Sequence, residues 1–551
     1  MTLVPIRSIG KLGVNTDWDP LDLPIEAWTM GKNVRYVDTR IRRGPVFNTV
    51  GALSLNSSPR YSLSYKTLSS SSKFHVLNQD GSITDFTASN PGAAPVESNI
   101  SISGYTPATA NLAYTATIVN DVVYVNRGDR VPWAKLTGNT NFSALPVWDS
   151  TWRCQSLRSI QGVLVALNIT KGSTQYPTMV KTSDFTSFDS TPAAWTASTT
   201  NSATENVLGD LQDPLVDGWP LRDRLILYAN NETWAMEYRG DSLMFNYRRL
   251  FTGRGVINQN CVAEYNNTHY VFGYDDIWTH DGYSNKSIAL GRVRDFIYNN
   301  MIRAEAYQFF TINNPKQGEV IFCYVSTDPY CYFPVGGSIG YPGCNRAAVY
   351  NYIYDTWYFY DLPYLVGGSL GVAFSGSTYN NLSSVSYDNV GGTYDSYFDP
   401  SRLYMLTVGR SSSSLSFGSL SCAVRMFEPV SIAQGAGIID PIATAPVFLE
   451  NKQMDMDEIS KELRGYKVVN QMWPQGHFDS GAPAMTFTWG SSDYSNIVPV
   501  YDHDMTFDGS TNYKLDFNAP GRYLSLKMTY TGTQDFSLSG FDIDYQLFGH
   551  R

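Results

Sequence analysis

Apolar residues in this chain are grouped in short runs, and polar pairs rich in Asn, Asp and Gly separate one run from the next. Asn, Asp and Gly adopt positive φ readily, so such a pair between runs of Val, Ile, Leu and Tyr predicts a tight hairpin turn. The pattern therefore predicts antiparallel strand pairs along much of the chain. The expected turns are at Asp80 and Gly81, Asn120 and Asp121, Gln161 and Gly162, Asn230 and Asn231, and Asn266 and Asn267.

The spacing of these turns predicts how the hairpins are arranged. Asn120 and Gln161 are separated by about 40 residues, which is close to the length of one four-stranded propeller blade. Elsewhere the spacing is irregular, which indicates insertions. We expect a β-propeller over residues 51–450, interrupted by long loops rich in Gly and Tyr at about 326–346 and 366–400.

One segment has a helical pattern instead of a strand pattern. In LGRVRDFIYNNM, the residues Val293, Phe296, Ile297 and Met301 fall on a single face of a helix. Such a stripe is typical of a surface helix that packs one face on a sheet. We therefore expect a short helix with a structural role at this point.

After about residue 450 the apolar residues alternate with polar ones. The segments PAMTFTWG, RYLSLKMTYT and FSLSGFDIDYQLFG all follow this period of two. Alternation of this kind is typical of antiparallel strands that bury one face. We expect residues 451–551 to form an antiparallel sheet or sandwich, which is either separate from the propeller or docked on it.

The composition favours strands and excludes some classes of function. Aromatic residues make up 14% of the chain and charged residues 16%, below the roughly 25% of an average globular protein. The formal net charge of -10 argues against an extended cationic surface for DNA or anionic lipid. No targeting signal and no long apolar segment is visible, so we expect a cytoplasmic product without membrane insertion.

The candidate catalytic and metal motifs in the sequence are weak. Ser338 is the central residue of a GGSIG run, but Pro334 stands where a nucleophile elbow needs a strand. The Asp-His-Asp run at 502–504 lies in a predicted strand, so its side chains do not all point the same way. The cysteines between 323 and 344 have no histidine nearby. We expect no enzymatic activity, no metal and no cofactor.

Several segments, in this order, resemble parts of one known family. Residues 13–45 contain prolines and two tryptophans but no helical period, and their pattern resembles the start of the tail nozzle proteins of short-tailed bacteriophages. Residues 253–300 are similar to the central part of that family, and residues 350–363 and 521–545 are similar to later parts. The matching N-terminal positions are Gly13, Asn15, Asp17, Leu23, Pro24, Ala27, Trp28, Asn33, Val34 and Arg35.

This resemblance implies a structural protein of the virion. The implied fold is a β-propeller with an additional antiparallel platform domain built from terminal segments, here residues 1–50 and 451–551. Copies would form a homohexameric ring beneath the portal and adaptor proteins, continue the DNA channel, retain the packaged genome and open for ejection. The protein would reside in the virion tail, and in the host cytoplasm before assembly. Fibre, spike or distal tip proteins would be further partners.

Charge and composition suggest roles for two groups of residues in such a ring. A net-acidic wall repels double-stranded DNA and lets it pass without tight binding, so the N-terminal arginines are expected to meet neighbouring subunits or the adaptor, or to form a solvated basic face. The proline-rich arm is expected to add contacts at the edge of a neighbouring sheet. The contact candidates are Trp18, Trp28, Asn33, Arg35, Arg40, Arg42 and Arg43.

The two long loops are the candidates for a channel gate or for contacts to a distal tail tip, because loops of this length are usually functional. The named gate or tip candidates are Tyr330, Tyr332, Phe333 and Tyr341. An alternative function is a carbohydrate-binding or glycan-cleaving propeller of the tailspike type, in which the many Tyr and Trp side chains would stack on sugars. Such a hydrolase would depend on Ser338 or on an aspartate at a turn.

Overall fold

The computed structural model contains mainly strands. Strands take up 55% of the chain and helices 4%, so the all-β fold class expected from the hairpin pattern is confirmed. The described residues are 2–50, 55, 57–67, 72–87, 96–107, 111–240, 244–336, 341–372, 403–412, 420–430, 443–454, 465–495, 497–509 and 511–548.

Five antiparallel sheets of four strands follow one another along the chain, and within each sheet the strands are neighbours in sequence order. The first sheet contains β6 (Pro59–Lys66), β7 (Ser72–Asn78), β8 (Ile83–Thr87) and β9 (Val96–Asn99). The second contains β10 (Tyr114–Val119), β11 (Val122–Arg127), β12 (Trp133–Lys135) and β13 (Ser143–Ala144). The third contains β14 (Trp152–Ile160), β15 (Val163–Lys171), β16 (Thr174–Thr182) and β17 (Thr204–Val207).

The fourth and fifth sheets repeat this arrangement. The fourth contains β18 (Leu215–Leu221), β19 (Arg224–Ala229), β20 (Glu232–Tyr238) and β21 (Phe245–Thr252). The fifth contains β22 (Val262–Tyr265), β23 (Thr268–Phe272), β24 (Ile277–His280) and β25 (Asn285–Ser287). All five turns expected from the sequence connect adjacent strands of these sheets, as predicted.

The turn residues have the positive φ values that the sequence predicts for them. Asn120 and Asp121 have φ values of 48° and 68°, and Asn266 and Asn267 have 49° and 58°. These values are typical of the two-residue turns that suit twisted hairpins. Gly81 has φ of 89°, and a Cβ atom there would lie 2.3 Å from the carbonyl oxygen of Thr106, so only glycine fits.

A twelve-stranded sheet connects the middle of the chain with both ends. Its first four strands form another antiparallel meander, and the short N-terminal strand β2 connects them with the C-terminal strands. The main path is β26 (Phe310–Asn314), β27 (Glu319–Tyr324), β28 (Cys344–Asn351), β29 (Thr356–Gly371), β2 (Met30–Lys32), β32 (Val447–Met454), β37 (Tyr523–Tyr530), β34 (Met485–Ser492) and β35 (Val500–Phe507). A side branch starts at β29: β30 (Tyr404–Ser412) pairs with β29, β31 (Leu420–Glu428) pairs with β30, and β5 (Val46–Thr49) pairs with β31.

A six-stranded sheet combines the two ends of the chain. The C-terminal strands expected from the alternating pattern are present, and they pair with strands from the N-terminal arm. The order is β3 (Val34–Val37), β4 (Arg40–Arg43), β38 (Phe536–Leu547), β33 (Lys467–Phe478) and β36 (Leu515–Gly521), with β1 (Thr2–Arg7) also on β38. The arm therefore adds strands to sheets of its own chain. The division into domains at residues 50 and 450 stays a prediction.

Neighbouring meanders pack against each other in chain order. Strand β10 contacts β6 and β14, β14 contacts β18, and β22 contacts β26. Between the fourth and fifth sheets, Tyr228 on β19 contacts His269 on β23 and His280 on β24. Strand β29 contacts β6, so the meander of β26 to β29 meets the first of the five four-stranded sheets.

The expected helix is α1 (Arg294–Asn300), and this prediction is confirmed. Val293, Ile297 and Met301 are buried, as the single apolar face required. Two short 3-10 helices, Pro20–Asp22 and Arg303–Gln308, are also present.

The predicted loop at 366–400 starts as a strand. Its first residues continue β29 and pair with β30, while residues 373–402 lie outside the described part of the chain. The glycines that suggested a loop are instead places where other strands approach closely. A Cβ on Gly367 would lie 2.8 Å from the backbone nitrogen of Ser62, and one on Gly371 would lie 2.6 Å from the hydroxyl of Ser64.

Candidate assembly surfaces and gate loop

The N-terminal arm holds the start of helix α1. The carboxylate of Asp17 accepts hydrogen bonds from the backbone N–H groups of Asp295 (3.1 Å) and Phe296 (3.3 Å). The side-chain amide of Asn15 donates to the carbonyl of Gly291 (3.2 Å). Because the first N–H groups of a helix lack partners within the helix, and because an anion is favoured there, this contact stabilises α1.

Of the first three contact candidates, one is exposed and two are buried. Trp18 is 52% exposed. Trp28 is buried and donates its indole N–H to the carbonyl of Ile9 at 2.7 Å. Asn33 is also buried and donates its side-chain amide to Asp361 at 2.8 Å. Trp28 thus links two parts of the arm, Asn33 holds the arm on the rest of the same chain, and of these three candidates only Trp18 is available to a partner.

Arg35 is buried in a polar group within the chain. Its Nε donates to Glu319 at 2.6 Å, and Nη2 donates to Gln317 at 2.6 Å. Glu319 also accepts hydrogen bonds from the hydroxyls of Tyr358 (2.9 Å) and Tyr360 (3.1 Å). Burial lowers the pKa of Arg35, but the Glu319 carboxylate and the two tyrosines together raise it by more than burial lowers it. The pKa of Arg35 is therefore above its ordinary value.

Arg43 is also buried, and backbone carbonyls surround its guanidinium. It donates to the carbonyl oxygens of Gly532 (3.1 Å), Asn33 (3.0 Å) and Ala445 (2.7 Å). Burial lowers the pKa of Arg43 to about 10, still far above neutral, so the side chain remains charged. Arg43 therefore holds three separate segments together.

The two remaining arginines, Arg40 and Arg42, are exposed. They alternate along β4 with the buried Ile41 and Arg43, because successive strand residues point to opposite faces. The arginine group that the sequence presents as one feature is therefore divided. Arg35 and Arg43 have partners inside the chain, while the contact prediction stays open for Arg40, Arg42 and Trp18.

Buried charges fix the base of the first long loop. Arg346 on β28 lies 3.1 Å from Asp328 and 2.7 Å from Asp361, and all three side chains are fully buried. Lys32 on β2 adds an ion pair of 3.1 Å to Asp361. Burial lowers the pKa of Arg346, and Asp361 and Asp328 raise it more, so the net pKa lies above its ordinary value. This group of charges thus ties the loop to three strands of the twelve-stranded sheet, β2, β28 and β29.

The gate candidate Tyr330 belongs to this fixed part of the loop. Its hydroxyl donates to Glu450 at 3.0 Å and accepts from Lys452 at 2.9 Å. Its backbone carbonyl accepts a hydrogen bond from Lys32. Tyr330 therefore joins the loop to β2 and β32 and is half-buried.

The other gate candidates lie nearer the surface. Tyr332 and Tyr341 are exposed, whereas Phe333 is half-buried between Tyr332 and Tyr364, at ring distances of 5.1 Å and 5.9 Å. Residues 337–340, which include the serine of the GGSIG run, lie outside the described residues. Tyr332 and Tyr341 are the side chains of this group that could reach a bound molecule.

A buried polar group, which the sequence does not predict, lies where several sheets meet. Arg158 on β14 makes two hydrogen bonds of 2.7 Å to Asp217 on β18, and a third of 2.9 Å to Asn260. Asn260 in turn donates to the carbonyl of Tyr114 on β10 at 2.8 Å. One guanidinium thus joins segments from successive sheets. An arginine between apolar residues of a predicted strand, as in WRCQSLRSI, was the only signal for it in the sequence.

A second group without a sequence signal joins the fourth and fifth sheets. The hydroxyl of Tyr228 lies 2.6 Å from His269 Nδ1 and 2.6 Å from His280 Nε2. His269 Nε2 lies 2.9 Å from the carbonyl of Pro220, and the N–H of Gly282 donates to His280 Nδ1 at 3.1 Å. These outer partners assign the protons: His280 donates to the tyrosine oxygen, and the tyrosine donates to His269. Every donor has an acceptor only while both imidazoles are neutral.

Burial favours the neutral form of both imidazoles. It lowers the pKa of His269 from 6.5 to about 4, and burial together with the neighbouring His269 lowers the pKa of His280 to about 3.

Among the described residues, no three His, Cys, Asp or Glu side chains come together as a metal site. No helix among them is long and apolar enough to span a membrane. In comparisons with known proteins, no family model and no curated sequence matches this chain.

Proposed function

We propose that this chain is the subunit of a ring-shaped tail nozzle, which continues a DNA channel, retains a packaged genome and opens for ejection. The observation that carries the proposal is the series of meanders. Five four-stranded sheets and the meander of β26 to β29 follow one another, with contacts that lead from β29 back to β6. Such a circuit supports a six-bladed β-propeller, the fold that the family resemblance implies.

The centre of these sheets favours a passage between copies over one through a single copy. Arg158, Asp217 and Asn260 fill the region where the sheets meet, and Arg158 and Asp217 are almost fully buried. A double helix has no path through such a region. In our proposal, a DNA channel is therefore surrounded by several copies, and each propeller forms part of its wall or lies outside it.

Charge supports a conduit for DNA as opposed to a DNA-binding protein. The chain has a formal net charge of -10. Three of its arginines, Arg35, Arg43 and Arg346, are buried with partners inside the fold, so they are not available to bind DNA. Binding to DNA depends on neutralising phosphates with Lys and Arg, so a channel wall with a net negative charge holds DNA weakly. DNA can then move along the wall without being bound to it.

The two sheets that combine N- and C-terminal strands are the proposed platform for the adaptor. The exposed Trp18, in the arm before the platform strands, is available to the adaptor, and the exposed Arg40 and Arg42 on β4 are available to the adaptor or to a neighbouring copy. Tyr332 and Tyr341 project from a loop whose base is held by buried charges, so we assign the gate or tip contact to these two side chains. A rigid base with exposed aromatic ends is suited to holding back a column of DNA.

Electron microscopy of the purified full-length protein tests the proposal. We expect an annular particle with a central opening wide enough for double-stranded DNA, and weak retention of DNA at low salt. A single non-annular molecule at every protein concentration would overturn the proposal. An opening lined by lysine and arginine would also overturn it, since DNA would then be held by counterion release.

A second candidate function is supported by one groove on the C-terminal strands. It has a volume of about 660 Å³ and is lined by Tyr466, Val468, Asp493, Tyr494, Arg522 and Phe548. Aromatic rings next to an arginine and a carboxylate suit a sugar, which stacks on rings and forms hydrogen bonds. Glycan-array binding by the isolated protein, lost in Tyr494→Ala, would favour a receptor-binding role. An absence of glycan binding would leave the nozzle as the better reading.

A further inference from the structure

The strand β35 is an unprotected edge of the twelve-stranded sheet. It pairs with β34 along one side, and it is the last strand of the sheet path in the described part of the chain. An exposed edge offers a row of backbone donors and acceptors to any other strand, so native proteins usually cover or protect it. The other side of β35 is therefore the first place to look for a partner.

Apolar side chains are exposed on this strand and in the segments that flank it. On β35, Val500 is 63% exposed and Met505 is also exposed. Val498 (80% exposed) and Ile497 precede the strand, and the exposed Tyr513 follows it. Single exposed apolar residues are ordinary, but several of them on and beside one strand with an unpaired side mark a candidate interaction site. The edge is thus more apolar than contact with water alone would favour.

The same edge carries negative charge. Asp502 and Asp504 are exposed on β35, between the apolar residues. Asp502 lies 2.5 Å from His503, and no ion pair with a lysine or arginine forms at Asp504 among the described residues. A partner that covers this strand should therefore present cations beside apolar groups.

The chain itself carries a surface of this kind. Lys11, Arg40 and Arg42 are exposed, and we call them the basic patch. The N–H of Gly10 donates to the carbonyl of Thr39 at 2.9 Å, which holds Lys11 beside the turn that precedes Arg40. No ion pair of these three cations forms among the residues that the structure describes, although the charge of Arg42 acts on the carboxyl of Asp535. Leu12, next to Lys11, is exposed and adds an apolar group.

The position of these two surfaces suits a head-to-tail contact between copies. In the six-stranded sheet, β4 is separated from β36 by β38 and β33, and β36 contacts β35. The basic patch and the acidic edge therefore lie toward opposite ends of the paired sheets. A contact between two different surfaces of the same chain repeats from copy to copy, and it closes into a ring when the rotation permits.

We propose that the edge strand β35 of one copy docks on the basic patch of the next copy. The inference rests on the proposed ring and names the contact that builds it. Asp502 and Asp504 would face Arg40 and Arg42, while Val498 and Val500 would be buried beside Leu12. A second copy is the favoured occupant because both complementary surfaces are present on this chain. The net charge of -10 disfavours self-association, and opposite charges at this contact would offset that repulsion.

Charge reversal in two separate chains tests this contact. The acid-reversed variant carries Asp502→Lys and Asp504→Lys, and the base-reversed variant carries Arg40→Glu and Arg42→Glu. Each variant alone would place like charges in every contact, so we expect the concentration for half-assembly to rise by about tenfold or more. In an equal mixture, each chain meets an opposite charge on its neighbour, and assembly should be restored with the two variants alternating.

Mass photometry of the full-length proteins measures the assembly, and circular dichroism confirms that each variant is folded. A control with Asp210→Lys and Asp223→Lys makes the same change in net charge as the acid-reversed variant, at exposed positions in the segments before and after β18, and should assemble normally. If the wild-type protein forms rings and both reversed variants do so equally well, this contact is wrong while the ring stands. If the mixture fails to recover, the contact is also wrong. A wild-type protein that stays monomeric at all concentrations overturns the ring itself.

Discussion

Arg158 and Asp217 face each other across two strands that are 59 residues apart in sequence, and two hydrogen bonds of 2.7 Å join their charged groups. The pair is buried, and its outer atoms reach Asn260 and the carbonyl of Ala116. The position of one side chain is therefore shared by the second, third and fourth sheets and by the segment before the fifth. Loss of this pair should affect the packing of the sheets more than the stability of any single sheet.

Asp217→Asn tests the importance of this pair. The change leaves the Arg158 guanidinium buried without a counter-ion, so we expect the free energy of unfolding to fall by about 3 to 5 kcal/mol. Urea denaturation followed by tryptophan fluorescence measures the change. The control is Asp275→Asn, which removes the exposed partner of Arg303 and should cost less than about 1 kcal/mol. Equal effects of the two substitutions would contradict the role assigned to Arg158.

Adjacent arginines on β4 should behave in opposite ways. Arg43→Ala removes three hydrogen bonds to buried carbonyls that no water can replace, and we expect a loss of about 3 kcal/mol or more in the free energy of unfolding. Arg42→Ala removes an exposed side chain and should change that free energy by less than about 0.5 kcal/mol. Thermal unfolding of both variants measures the difference.

The assembly of these two variants separates the roles further. Arg42→Ala should weaken ring formation without a loss of stability. Deletion of residues 1–44 would not separate these roles, because it removes β1 to β4 and so disrupts two sheets as well as the exposed arginines. A stable Arg43→Ala protein would show that the buried contacts of Arg43 are not needed.

Acid should weaken the junction between the fourth and fifth sheets. His269 and His280 have folded-state pKa values of about 4 and about 3, below the ordinary value of 6.5, so the folded state binds fewer protons than the unfolded chain. Their contribution to stability is complete above pH 6.5 and is lost progressively as the pH falls toward the folded values. We expect a loss of about 2 kcal/mol per histidine between pH 7 and pH 5.

Urea denaturation at a series of pH values measures this loss. The double variant His269→Gln and His280→Gln should be less stable at pH 7 but should lose less stability on acidification than the wild type. The control is His477→Gln, since the side chain of His477 is 83% exposed. An unchanged pH dependence in the double variant would contradict the proton assignment around Tyr228.

The exposed tyrosines of the loop should control DNA retention in an assembled tail. Tyr332→Ala combined with Tyr341→Ala should leave the free energy of unfolding nearly unchanged, because both side chains are exposed. If they form the gate, virions with this variant should release DNA at a lower temperature, as measured with a DNA-binding dye. The control Tyr283→Ala removes an exposed tyrosine on the fifth sheet. If virions with the wild-type protein, the double variant and the control all release DNA at the same temperature, the gate does not lie at these residues.

Much of the local structure could be predicted from the sequence. The five hairpin turns, the short helix and the alternating C-terminal strands were all correctly placed, since each depends on residues that are close together in the chain. Asn120 and Asp121 favour a tight turn through their own backbone preferences. Val293, Ile297 and Met301 define a helix face by their spacing alone. Such signals do not require knowledge of distant partners.

Contacts between distant residues could not be predicted in this way. The sequence alone determined that this is an acidic protein built from antiparallel hairpins, because turn preferences and strand periodicity act over a few residues. Only the tertiary structure decided that Arg35 is buried against Glu319 while Arg42 remains in solvent, and that a glycine-rich segment is a strand instead of a loop. The physical reason is that burial depends on partners far away in the chain, and a side chain's own chemistry does not specify which partner it will meet.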